Sequence, residues 1–209
     1  MTSIGLLFKV LWSPREAMFL VSKNPRPLMP LGLLCLFTFL TQNVILANVD
    51  SSQLSAASEA VMLATLLVDP IARIAIIALL YFGLFTLVGR IAGFKSFFAI
   101  TSFAFVPSVF SFVAKMVLAF RDPPSSLIAD VAGSIGPAMF LHRDTTSPYL
   151  FTAVNAMDLV NIWILALLAI GYGFLVRPTS SKAMQIVAVV GVFLLYVGVR
   201  LAFIAAASR

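Results

Sequence analysis

Long apolar runs alternate along the chain with short polar breaks, and the breaks are marked by prolines and by single basic residues. Near the start Ile4, Leu7, Phe8 and Leu11 recur at i, i+3, i+4 and i+7, with Trp12 beside them and Lys9 on the flank. That spacing places one apolar stripe on a helix. It predicts an amphipathic helix lying on the membrane surface through Leu7, Phe8, Leu11 and Trp12. The helix should stop at Ser13, because Ser13-Pro14-Arg15-Glu16 supplies an N-cap, a proline at the first helical position and a glutamate at N3. A second short helix is expected through Ala17 to Val21, and Lys23-Asn24-Pro25-Arg26-Pro27 then breaks it with two prolines.

Five later windows stay apolar for about 20 residues, roughly what a helix needs to cross a hydrocarbon core of about 30 Å. They predict spans near 28–47, 71–92, 97–119, 158–176 and 184–206. Asp69-Pro70 reads as the N-cap and first position of the second span, which leaves Val61 to Val68 as a separate interfacial turn after the polar loop Ser51 to Ser58. Pro107 falls near the middle of the third span and predicts a kink, since the lost backbone bond must be satisfied by neighbouring groups. In the loop from Arg121 to Pro148, the apolar stretch Ile128 to Leu141 should dip into the outer interface. Arg177-Pro178-Thr179-Ser180 closes the last two spans into an antiparallel hairpin. The fold class is therefore all-α: residues 1–27 as a cytoplasmic amphipathic segment and residues 28–209 as one five-span transmembrane bundle.

Composition agrees with the pattern. Of 209 residues 61% are hydrophobic and 11% charged, a balance that a water-soluble fold cannot bury. The net charge of +6 comes from basic residues set singly or in pairs between apolar runs, which argues for loops under the positive-inside bias and against nucleic acid as a partner. With the N-terminus inside, the inner segments hold Lys9, Arg15, Lys23, Arg26, Arg90, Lys95, Arg177 and Lys182 against Glu16 alone, while the loop from Asn48 to Asp69 holds no basic residue. The expected orientation is N-in, C-out. No small-residue cleavage site follows the first long apolar run convincingly, so the full chain is expected to be retained.

These residues also bear a resemblance. The opening Trp12-Ser13-Pro14-Arg15 with Phe19 and Pro25, the Gly89 to Phe98 segment with Gly93-Phe94-Lys95, Val106-Pro107, and Asp158 to Gly171 with Asn161-Ile162-Trp163 are similar to the Yip (Ypt-interacting protein) domain family in its bacterial form. The resemblance covers nearly the whole chain and implies a five-span bundle with a cytoplasmic N-terminus, in a bacterial inner membrane. Eukaryotic relatives are associated with Rab GTPases and vesicle trafficking, and the bacterial ones are mostly without assigned function. This chain departs from the eukaryotic pattern in lacking a long polar N-terminal region, so Rab binding is not expected of it.

Candidate chemistry is sparse. HExxH, GxSxG, Walker A and CxxC patterns do not occur, and the one histidine, His142, sits between apolar and charged loop residues beside Arg143 and Asp144. Neither an enzyme nor a cofactor or metal site is expected. Cys35 is the one cysteine, so no intramolecular disulfide can form. Polar residues in spans are costly unless they face the bundle interior, snorkel or find partners, which singles out Gln42, Asn43, Tyr81, Arg90, Lys115, Asn155, Asp158, Asn161 and Arg200. Asp158 and Arg200 reach the same outer level of the last hairpin and are expected to pair, with Asn155 and Asn161 completing the hydrogen bonds of Asp158. Lys115 is the rival partner, and separate snorkelling to water is the alternative to either. Gly89 and Gly93 form a GxxxG that reads better as part of a loop than as a dimer seam. Two functions fit: a non-enzymatic membrane-organising scaffold or adaptor, and a small transporter or channel subunit with a polar crevice between spans. The bilayer and other membrane proteins are the expected partners, and a homo-oligomer has no support in the sequence.

Overall fold

The computed structural model describes residues 3–47, 56–89, 91–121, 137–141, 146–176 and 181–207. The described chain is α-helical: α1 Ser3–Trp12, α2 Pro14–Lys23, α3 Leu28–Ala47, α4 Ala56–Val88, α5 Phe94–Ala104, α6 Ser108–Arg121, α7 Pro148–Ala156, α8 Leu159–Gly173 and α9 Lys182–Ala207, with a 3₁₀ turn at Pro137–Phe140. By length and composition two helical stretches, Val68–Leu87 and Phe94–Val117, can cross a membrane, or up to four if each bent pair of helices counts as one span. His142, Arg143, Asp144, Arg90, the Arg177–Ser180 turn and most of the Ile128 to Leu141 stretch lie outside the described residues.

The breaks at Ser13, between Lys23 and Leu28, and at Pro107 follow prolines. Ser13 separates α1 from α2 as expected, but its side chain does not cap α2. Its amide instead donates to the Lys9 carbonyl at 2.8 Å, and its hydroxyl donates to Glu16 at 3.5 Å. Between α2 and α3 the chain turns by 119°. Pro107 sits in a non-helical turn between α5 and α6. There the amides of Val106, Ser108, Val109 and Phe110 each donate to the carbonyl three residues back, at 2.9–3.2 Å, so the bonds broken by the proline are remade in tighter geometry. The α-helix is interrupted at the proline, as its lost backbone bond requires.

Asp69-Pro70 corrects the expectation. α4 runs through it, with Pro70 inside the helix, so Val61 to Val68 is the N-terminal part of a 33-residue helix and not a separate turn. The flanking sequence is rich in Ala and Leu, strong helix formers on both sides of a single ring. Among the described residues Asp69 accepts from Arg73 one turn on, at 2.8 Å.

A further helix precedes the expected fourth span. α7 and α8 meet at 48° around Met157 and Asp158, and α8 ends at Gly173, short of the expected limit of 176.

Helix α5 is the hub. From Phe97 to Ala104 every side chain but Phe98 is buried, the signature of a helix surrounded on all sides. It packs against α4 and α8, and also against α2 and the N-terminal α1. A smaller cluster of Leu31, Leu34 and Ile74, backed by Phe98, Phe105, Val109 and Phe112, joins α3 to α4 and α6.

Candidate functional site

Where α4, α5, α8 and α9 meet, four aromatic rings close on one another. Tyr172 lies 4.8 Å from Tyr81, 5.1 Å from Phe97 and 5.3 Å from Phe85 between ring centroids, within the range where aromatic pairs attract beyond simple burial. Both tyrosine hydroxyls are bonded. Tyr81 donates to the Val189 carbonyl at 3.0 Å, tying α4 to α9. Tyr172 and Thr101 share a bond of 2.7 Å between α8 and α5. Thr101 spends its own hydrogen on the Phe97 carbonyl at 2.7 Å, so Tyr172 is the donor and the network is saturated. Ser102 likewise donates back to the Phe98 carbonyl.

The N-terminal helices cover this cluster. Ala17, Met18 and Val21 of α2 are fully buried, and Met18 reaches Gly171. A Cβ at Gly171 would fall on the Ile100 side chain and lie 3.3 Å from the Met18 sulfur, so the Gly171-Tyr172-Gly173 sequence serves close helix packing. The Phe19 ring meets Phe174 edge-on at 5.6 Å. Helix α1 does not lie freely on a surface as expected. Leu7 and Val10 enter the main core and Leu11 is half-buried, while Ile4, Phe8 and Trp12 face outward. The stripe read as one membrane face is divided because α1 is pinned beneath by α3 and α5.

At the opposite end Asp158 is 7% exposed and is the N-cap of α8, accepting from the Val160 amide at 2.7 Å. Asn161 does not serve Asp158. Its amide nitrogen lies 3.3 Å from the Ala156 carbonyl, which the α7–α8 break frees. Among the described residues the buried Asn155 Oδ1 has no hydrogen-bond partner. The side chain of Arg200 lies outside the described residues, and Lys115 is half-buried on α6. Asn43 is exposed and donates to the Phe39 carbonyl at 2.8 Å, within its own helix. Among the described residues the two ion pairs are Lys9 with Glu16 and Arg73 with Asp69. Gly89 has φ of 89° and ends α4, and Gly93 is the N-cap of α5, which fits the loop reading of this pair.

Sequence reasoning missed Thr101, Phe85 and Phe97, because nothing in their spacing marks partners on distant helices. It noticed Tyr81 only as a deep polar residue and Tyr172 only within a glycine motif.

Residues 8–201 match the family model described as the Yip1 domain. Searches of curated proteins and of solved structures returned no match. The match spans most of the chain, so the protein belongs to the Yip1 domain family and is a multi-pass membrane protein.

Proposed function

Proceeding from that membership, in a family of generally non-enzymatic membrane proteins, we propose that the chain is a membrane-organising scaffold or adaptor. It crosses the bilayer five times, through α3, α4, α5 with α6, α7 with α8, and α9, with the N-terminus in the cytoplasm and the C-terminus outside, in a bacterial inner membrane. The observation that supports this reading best is the burial of α2. A segment that turns 119° from the first span and sinks Ala17, Met18 and Val21 against α5 and α8 makes the N-terminal region part of the bundle. The saturated aromatic cluster beneath it favours a closed interior over the hydrated crevice that a transporter needs.

Two measurements test the proposal. Reporter fusions after Lys95 and Lys182 should read cytoplasmic, and fusions after Ser55 and Thr146 external; reversal at any two sites sinks the topology. Single cysteines at Thr101, Ser102 and Val189 in a Cys35→Ser background should resist charged thiol reagents added to either side. Labelling at these positions would favour the channel reading.

A further inference from the structure

We propose that the bundle end bearing α1 and α2 is a docking surface for the anionic headgroups of one membrane leaflet. The outward line of α2 reads Arg15, Phe19, Lys23 at i, i+4 and i+8, all exposed, opposite the buried Ala17, Met18 and Val21. Lys23 Nζ lies 5.6 Å over the Phe19 ring, and the contact of Phe19 with Phe174 ties this line to the end of α8. Three further exposed cations belong to the same end. Arg26 follows in the α2–α3 turn. Lys95 follows the loop whose Ile91 amide donates to the Leu175 carbonyl at 2.8 Å. Lys182 opens α9 one turn from Gln185, whose side chain lies against Gly173. The acid here, Glu16, is paired with Lys9.

Beside these cations stands an apolar lane on α1, with Ile4 54%, Phe8 63% and Trp12 85% exposed at i, i+4 and i+8, together with Leu28, 82% exposed. Among the described side chains, the charges at the far end of the bundle are the Asp69–Arg73 pair, the buried Asp158 and Lys115. An acidic protein would match the cations but leave the Trp12 lane in water. A leaflet of anionic phospholipid satisfies both halves, phosphate against Arg and Lys and the acyl boundary against Trp, Phe and Leu.

This inference rests on the membrane-embedded bundle proposed above, but not on which side is cytoplasmic, so a failed reporter assay leaves it standing. The full-length protein with Trp163→Phe, in which Trp12 is the sole tryptophan, is purified in detergent. It is then titrated with phosphatidylglycerol, phosphatidylcholine or inorganic phosphate while the thermal midpoint is followed. The midpoint should rise with phosphatidylglycerol alone, less at high salt, and Arg15→Gln with Lys23→Gln should raise the half-saturating lipid concentration about tenfold or more. Lys115→Gln should leave it unchanged. If the first pair does not fold, Lys95→Gln with Lys182→Gln is held to the same expectation. In nanodiscs, lipids brominated along the acyl chain should quench Trp12. Equal response to both lipids, the same response to phosphate alone, equal effects at the two ends, or an unquenched Trp12 would each overturn the proposal.

Discussion

Tyr172 on α8 donates its hydroxyl hydrogen to Thr101 on α5 across 2.7 Å, between two side chains with no measurable exposure. The two ends of this bond are not equivalent. Tyr172→Phe removes a donor and leaves Thr101 still bonded to the Phe97 carbonyl, which should cost about 1 kcal/mol. Thr101→Val leaves a buried phenol without an acceptor and should cost more, about 1–3 kcal/mol. A thermal-shift cycle in detergent should rank Thr101→Val below Tyr172→Phe, and the double variant should cost less than the sum.

Gly171 tests the seat of α2. Gly171→Ala drives a methyl group into Ile100 and toward Met18, an overpacking that should cost about 1–3 kcal/mol. Ile100→Ala in the same chain should recover part of the loss, because it clears the nearest obstacle. Equal thermal midpoints for Gly171→Ala and the parent would mean that α8 does not pack on α5 and α2 as described.

The breaks at Ser13, between Lys23 and Pro27, and at Pro107 were legible because proline acts locally on the backbone, whatever the fold around it. Pro70 was misread by the same rule. Its sequence neighbours favour helix on both sides, and a membrane helix tolerates a proline whose freed carbonyl finds another donor. The aromatic cluster was not legible at all. Tyr172 and Thr101 stand 71 residues apart and Tyr81 and Val189 108 apart, and no periodicity encodes which faces meet. The divided face of α1 was hidden for a related reason. Residues buried in protein and residues facing lipid are equally apolar, so the stripe gives no sign of which neighbour covers it.

That division can be measured directly. Leu7 enters the core while Phe8 faces outward, so two adjacent substitutions should behave differently. Leu7→Asn buries an amide in the core and should cost about 2–4 kcal/mol. Phe8→Asn should leave detergent stability within about 0.5 kcal/mol and should weaken quenching of Trp12 by brominated lipid. Equal destabilisation by the two would mean that α1 does not dock through Leu7.

The last expectation is an ion pair between Asp158 and Arg200, which lies beyond the described side chains. Gly173 and Gln185 are in register across α8 and α9, fifteen residues separate Gly173 from Asp158, and fifteen separate Gln185 from Arg200. At about 1.5 Å per residue both positions lie about 22 Å from the shared level. The capping bond to Val160 and the positive end of α8 stabilise the Asp158 carboxylate, but they do not neutralise a full charge this deeply buried. Asparagine is also a good N-cap, so Asp158→Asn keeps the cap and removes only the charge. If the pair forms, Asp158→Asn and Arg200→Gln should each lower the thermal midpoint, and the double variant should cost clearly less than the sum, since neither partner is then left alone. If Asp158 is a cap and nothing more, Asp158→Asn should be nearly silent while Asp158→Ala costs about 1 kcal/mol. Non-additivity with Lys115→Gln, and additivity with Arg200→Gln, would move the partner to α6.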